Sequence, residues 1–157
     1  WYLLEVANDD EGAEEVVEEL IERVTYNLEV MLDFYDDEVR FPDGSYVYMT
    51  NVYDPTDGTG DLPACYPGLD LSNALSYLDE INAALFELAE KRNVAMLDMH
   101  RHFLGHAFHH DDSDSPFYDA GNPEMWFADC VHPNDVGHNE LRRIFYSAVT
   151  NSEFIAD

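Results

Sequence analysis

Short apolar runs alternate along this chain with long stretches whose apolar residues recur every three or four positions, and that alternation leaves few folds open. Val17, Leu20, Ile21, Val24, Leu28, Met31, Leu32 and Tyr35 lay one apolar stripe on a helix predicted from about Ala13 to Asp37. Leu71, Ala74, Leu75, Leu78, Ile81, Leu85, Leu88 and Ala89 lay a second on a helix that should end near Arg92 and Asn93. Trp1 to Ala7, Tyr46 to Val52 and Val94 to Met99 are too short for such helices and read as strands. A last helix carries Leu141, Ile144, Phe145 and Ala148, after a polar, histidine-rich loop predicted from His100 to about Asp129. Strands separated by helices are joined by crossovers, so the order predicts an α/β fold with a parallel sheet and helices on its faces. Functional groups then belong at the carboxyl ends of the strands, where Asn8, the loop after Val52 and the loop after Met99 all fall.

Charge narrows the function. The 157 residues hold 34 Asp and Glu against 7 Lys and Arg, a net charge of −27, which argues against binding nucleic acid through its phosphates. A polar chain so charged would be disordered, but 46% of these residues are hydrophobic, enough for one folded domain. No apolar run approaches the roughly 20 residues of a membrane-spanning helix, so no transmembrane segment is expected. The acidic surface suits saline or extracellular surroundings, where salt screens self-repulsion. Trp1 to Val6 has neither the basic start nor the long apolar stretch of a signal peptide, and a chain opening on Trp-Tyr-Leu-Leu reads as the remainder of something longer.

Cys65 and Cys130 lie far apart with no neighbouring cysteine, which excludes a four-thiolate zinc site. Two readings stay open: two separate thiols, or a disulfide whose long loop would stabilise by about 3 to 5 kcal/mol. Asp54-Pro55-Thr56-Asp57-Gly58-Thr59-Gly60-Asp61 offers closely spaced oxygens, as calcium loops do, but lacks the spacing and final Glu of an EF-hand; an acidic turn is the simpler reading. His102 and His106, four apart, share a face if helical and with His109 and Asp111 or Asp112 offer zinc-like ligands. Their spacing matches no standard zinc signature, so the preferred reading has no metal and makes His102, His106 and Trp126 part of a substrate-flanking loop. The aromatics Phe117, Tyr118, Trp126 and Phe127 either line a pocket or pin this loop to the sheet, and pinning is the simpler expectation.

The sharpest local signal is Asp129-Cys130-Val131-His132-Pro133-Asn134, before the last helix. Proline favours an extended residue before it and is welcome at the first helical position, so His132 should stand in a loop at the helix entrance. Asp129, three residues earlier, is within reach of its Nδ1 and would fix the tautomer while Nε2 takes a proton. These residues resemble the last block of SGNH or GDSL-type serine hydrolases, whose Asp-x-x-His-Pro motif supplies two members of a Ser-His-Asp triad. Val6-Ala7-Asn8-Asp9 is similar to the family block whose Asn binds the oxyanion, although Ala7 stands where the family has Gly.

The resemblance implies a three-layer α/β/α, flavodoxin-like SGNH hydrolase fold, incomplete at its N-terminus, with residues 1–157 the carboxyl-terminal part of a single domain. It implies His132 as general base, Asp129 as its orienting group, Asn8 as an oxyanion donor, no cofactor, and a small-molecule or lipid ester as substrate. Secreted or periplasmic localisation goes with it. The sequence contains no Gly-Asp-Ser: Ser45, Ser72, Ser76, Ser113, Ser115, Ser147 and Ser152 all lie in turns, helices or the late loop. The nucleophile is therefore expected in a missing N-terminal segment of the same domain, and the segment alone should be inactive. Missing strands would also leave an apolar sheet edge open to association. Two rival expectations are a catalytically silent binding module that keeps the dyad, and a metal-dependent hydrolase using His100 to Asp112.

Overall fold

A computed structural model describes residues 12–68 and 70–150. The strand expected at Trp1 to Ala7 and the oxyanion residue Asn8 lie outside the described residues. Helix α1, Ala13–Tyr35, follows Gly12, whose φ of 117° is open to glycine. Glu14 and Glu15 in its first turn face the positive end of the helix dipole. Strand β1 is Tyr48–Thr50, helix α2 is Ser72–Lys91 and strand β2 is Ala95–Leu97. A short helix α3, Met99–Phe103, follows directly, and α4 spans Asp135–Thr150.

The fold is mixed α/β. β1 and β2 pair in parallel, with Tyr48 opposite Ala95, Met49 opposite Met96 and Thr50 opposite Leu97, and α2 makes the crossover between them. The α2 stripe is largely buried, as its spacing predicts, whereas of the α1 stripe only Val17 and Leu32 are fully buried and Met31 and Tyr35 stay exposed. Leu32 of α1 and Ile81, Leu85, Leu88 and Ala89 of α2 bury themselves with Met49 of β1 in one core. Arg92, just past α2, pairs with Asp33 at 2.7 Å and Asp36 at 2.8 Å, tying the ends of the two helices together. A second core, Phe103, Ala107, Trp126 and Phe127, packs under the loop that leads to α4. Among the described residues no helix is long and apolar enough to cross a membrane.

At their carboxyl ends the strands stop short of the apolar runs because side chains take over the hydrogen bonding. Asn82, buried on α2, brackets Val52: its Oδ1 accepts the Val52 N–H at 2.8 Å and its Nδ2 donates to the Val52 carbonyl at 2.9 Å. Residue 52 thus pairs with a helix side chain instead of a strand. Beyond β2, Asp98 accepts the Arg101 N–H at 3.0 Å and caps α3, so the expected strand stops before Met99 and the expected loop opens as a helix. At the start of α4, Asn134 accepts the N–H groups of Val136 and Gly137 at 2.9 and 3.0 Å. That cap keeps Pro133 outside the helix it was expected to enter, bridged instead to Phe127.

Candidate active site

The carboxyl ends of β1 and β2 are clipped together. Asn51 donates to Asp98 at 2.7 Å and accepts the His100 N–H at 2.8 Å, which closes the parallel pair just past its last ladder residues. From this edge the chain after β1 runs outward through Tyr53 into the acidic loop.

That loop is held by its own carboxylates. Asp54 accepts the N–H and hydroxyl of Thr56 at 2.8 and 2.7 Å, and the Gly58 N–H at 2.7 Å. Asp57 is fully buried and accepts backbone N–H groups from Gly105, Ala107 and His109. Burial pushes the Asp57 carboxyl up while those amides pull it down. The Asp54 and Asp57 carboxylates thus hold the loop as a tight acidic turn.

The histidines diverge. His102 pairs with Glu140 of α4 at 3.2 Å, and burial lowers its pKa more than Glu140 raises it. His106 lies flat on Trp126, ring centroids 3.6 Å apart, with its Nδ1 at 3.1 Å from the Glu124 carbonyl. His109 reaches the Asp61 carbonyl at 3.0 Å, and His110 the Ala107 carbonyl at 2.9 Å. Among the described residues no three His, Cys, Asp or Glu side chains converge as a metal would need. His102, His106 and Trp126, expected to flank a substrate, pack against one another, His106 stacked on Trp126 and both of these buried. Trp126 and Phe127 pin the loop, whereas Phe117 and Tyr118 stay partly exposed.

Asp129 and His132 form a dyad. The loop that carries them is closed at its base by two backbone bonds, Ala128 N–H to the His132 carbonyl and Asn134 N–H to the Trp126 carbonyl, both 2.8 Å. At its tip, Asp129 Oδ1 accepts the N–H groups of Val131 and His132 at 2.9 and 2.8 Å. Its Oδ2 lies 2.8 Å from His132 Nδ1. The Val131 and His132 amides first, and the imidazole after them, hold the Asp129 carboxyl down to about 2. An ionised acceptor at this position puts the neutral imidazole's proton on Nδ1 and leaves the Nε2 lone pair free. The His132 side chain is 75% exposed and that of Asp129 54%, so the basic nitrogen is open to whatever approaches.

Two contacts join this loop to the chain after β1. Cys130 is disulfide-bonded to Cys65, and the Tyr53 hydroxyl donates to the Val131 carbonyl. Burial, and then the charge of Asp129, raise the Tyr53 phenol's pKa and keep it a donor. Tyr53 and Asn82 escape sequence reasoning, and Asp57 is seen there only as a calcium-like oxygen, because each acts on a partner at least 30 positions away. The one available signal was polar residues interrupting apolar patterns, as Asn82 interrupts the α2 stripe. No family model, curated protein or solved structure matches the chain.

Proposed function

We propose that Asp129 and His132 are two members of a Ser-His-Asp triad in a serine hydrolase of SGNH type that cleaves carboxylic esters, with the serine supplied by polypeptide that these residues do not contain. One observation carries the reading: His132 Nδ1 sits 2.8 Å from an ionised Asp129 with the rest of the ring exposed. The parallel sheet and the dyad's place in the loop before α4 support the wider fold proposed with it, a three-layer α/β/α domain of which this is the carboxyl-terminal part.

In the reaction, His132 Nε2 takes the serine proton as the serine oxygen attacks the ester carbonyl. The tetrahedral intermediate then collapses, the alcohol leaves with that proton, and a water activated by the same nitrogen releases the acid. Asp129 stabilises the imidazolium throughout. Asn8 is the proposed side-chain oxyanion donor, worth about 10² to 10³ in rate if it acts as such donors do. The Cys65–Cys130 disulfide supports an exported protein, secreted or periplasmic, since such bonds persist in oxidising compartments.

The test uses the product of the full reading frame that encodes this chain. A fluorophosphonate probe should label a serine outside residues 1–157, and p-nitrophenyl esters should be hydrolysed. His132→Ala should cut both by about 10⁴-fold or more. Absence of a labelled serine, or hydrolysis by His132→Ala near the wild-type rate, overturns the reading.

A further inference from the structure

Two residues separate the members of the dyad, and each is tied sideways to the same neighbouring loop. Cys130 is bonded to Cys65, and the carbonyl of Val131 accepts the Tyr53 hydroxyl. Both anchors are themselves fixed. Tyr53 stands three residues past the end of β1, its ring stacked on Phe103 at 5.2 Å and edge-on to Phe127 at 5.3 Å. Cys65 lies in a turn in which its N–H donates to the Leu62 carbonyl at 3.0 Å, with Leu62 buried and the loop closed by the Asp61–Asp70 bridge.

Local bonding does not explain the need for these tethers. The Asp129 turn and the Ala128–His132 bond shape the loop from within, but the Asp129 and His132 side chains that meet at its tip are 54% and 75% exposed, so their contact depends on how far the loop flexes. Exposed ion pairs of this kind are also weak on their own, because water competes for both partners. We propose that Tyr53 and the Cys65–Cys130 bridge are positioning groups that brace the dyad loop so that Asp129 and His132 stay in contact, and that a dithiol cutting the bridge loosens the dyad. In that step one thiolate of the dithiol attacks a cystine sulfur. Its second thiol closes the reductant's own disulfide, and Cys65 and Cys130 each leave as a protonated thiol. Both cysteines are partly exposed, so the attack has access.

The proposal concerns the site read above as catalytic, but its test needs no catalysis. In the chain labelled with ¹⁵N-histidine, near pH 8, nitrogen shifts report the ratio of the Nδ1–H to the Nε2–H tautomer for each ring. His132 should be held as Nδ1–H by Asp129. His110 serves as the internal control, because its Nδ1 bonds the Ala107 carbonyl from within its own turn. Tyr53→Phe keeps the ring packing and removes the tether; it should lower the His132 ratio by about fivefold, the worth of one ordinary hydrogen bond. Dithiothreitol, or Cys65→Ser with Cys130→Ser, should lower it further, with His110 unchanged in every case. An unchanged His132 ratio in both Tyr53→Phe and the reduced protein would overturn the proposal, since the Asp129 turn would then suffice. Equal movement of His110 would overturn it too, because the tethers would then be general supports of the fold. If the ratio responds as expected but the reading-frame product does not hydrolyse esters, the tethers stand and the hydrolase reading falls.

Discussion

Asp129 serves two sets of donors at once, the amides of its own turn and the His132 ring, and they separate on substitution. In Asp129→Asn the remaining oxygen can still accept the amide protons, so the turn should persist. The charge that holds the imidazole's proton on Nδ1 is lost. In the reading-frame product the variant should hydrolyse esters about 10⁴-fold more slowly, the size of effect seen when a triad aspartate is neutralised. Stability carries its own signature. The Asp129 carboxyl lies at about 2 in the folded chain against an ordinary 3.8. A lowered carboxyl stabilises above its unfolded value, and that contribution is lost as pH falls towards 2. Urea midpoints taken between pH 5 and 2 should therefore fall less steeply for Asp129→Asn than for wild type. Identical acid limbs would mean that the carboxylate is not held as described.

Helix α4 shows how closely an element can be fitted to the site it carries. Gly137 lies in its first turn, where a Cβ would overlap the carbonyl oxygen of Trp126 and press on Pro133. The same Trp126 carbonyl accepts the Asn134 N–H at the base of the dyad loop. Glycine here lets the helix entrance and that loop touch backbone to backbone. Gly137→Ala would gain about 1 kcal/mol of helix propensity, yet the overlap is with backbone and cannot be relieved by rotating a side chain. The expected outcome is a net loss of about 1 to 2 kcal/mol, measured by urea unfolding. A more stable variant would show that the helix does not seat as closely as described.

Across the whole molecule, a net charge of −27 on 157 residues makes self-repulsion a general term that few local pairs offset. The ion pairs of Lys91 with Glu29, and of Arg40 with Asp37, are exposed and individually worth little. Raising salt from 0.1 M to 1 M shortens the screening length from about 10 Å to about 3 Å, which weakens the repulsion among many like charges more than the few attractions. The melting temperature should therefore rise over that range, by several degrees in a scanning measurement. A fall would mean that the pairs outweigh the repulsion.

Features written within a few residues were legible in the chain before any folding was considered. The stripes of α1 and α2 follow from a repeat that each helix imposes on its own sequence; the α2 stripe buries as its spacing predicts, while Met31 and Tyr35 of the α1 stripe stay exposed. The dyad was legible for the same reason: three positions bring a carboxylate back onto an imidazole across a single turn. Contacts that span the chain were not. Whether Cys65 meets Cys130 depends on where two loops 65 residues apart come to rest. Tyr53 finds Val131 across 78 positions, and Asp57 finds the histidine loop across about 50. A local pattern carries its own geometry, whereas a distant pair acquires one only when the intervening helices have packed.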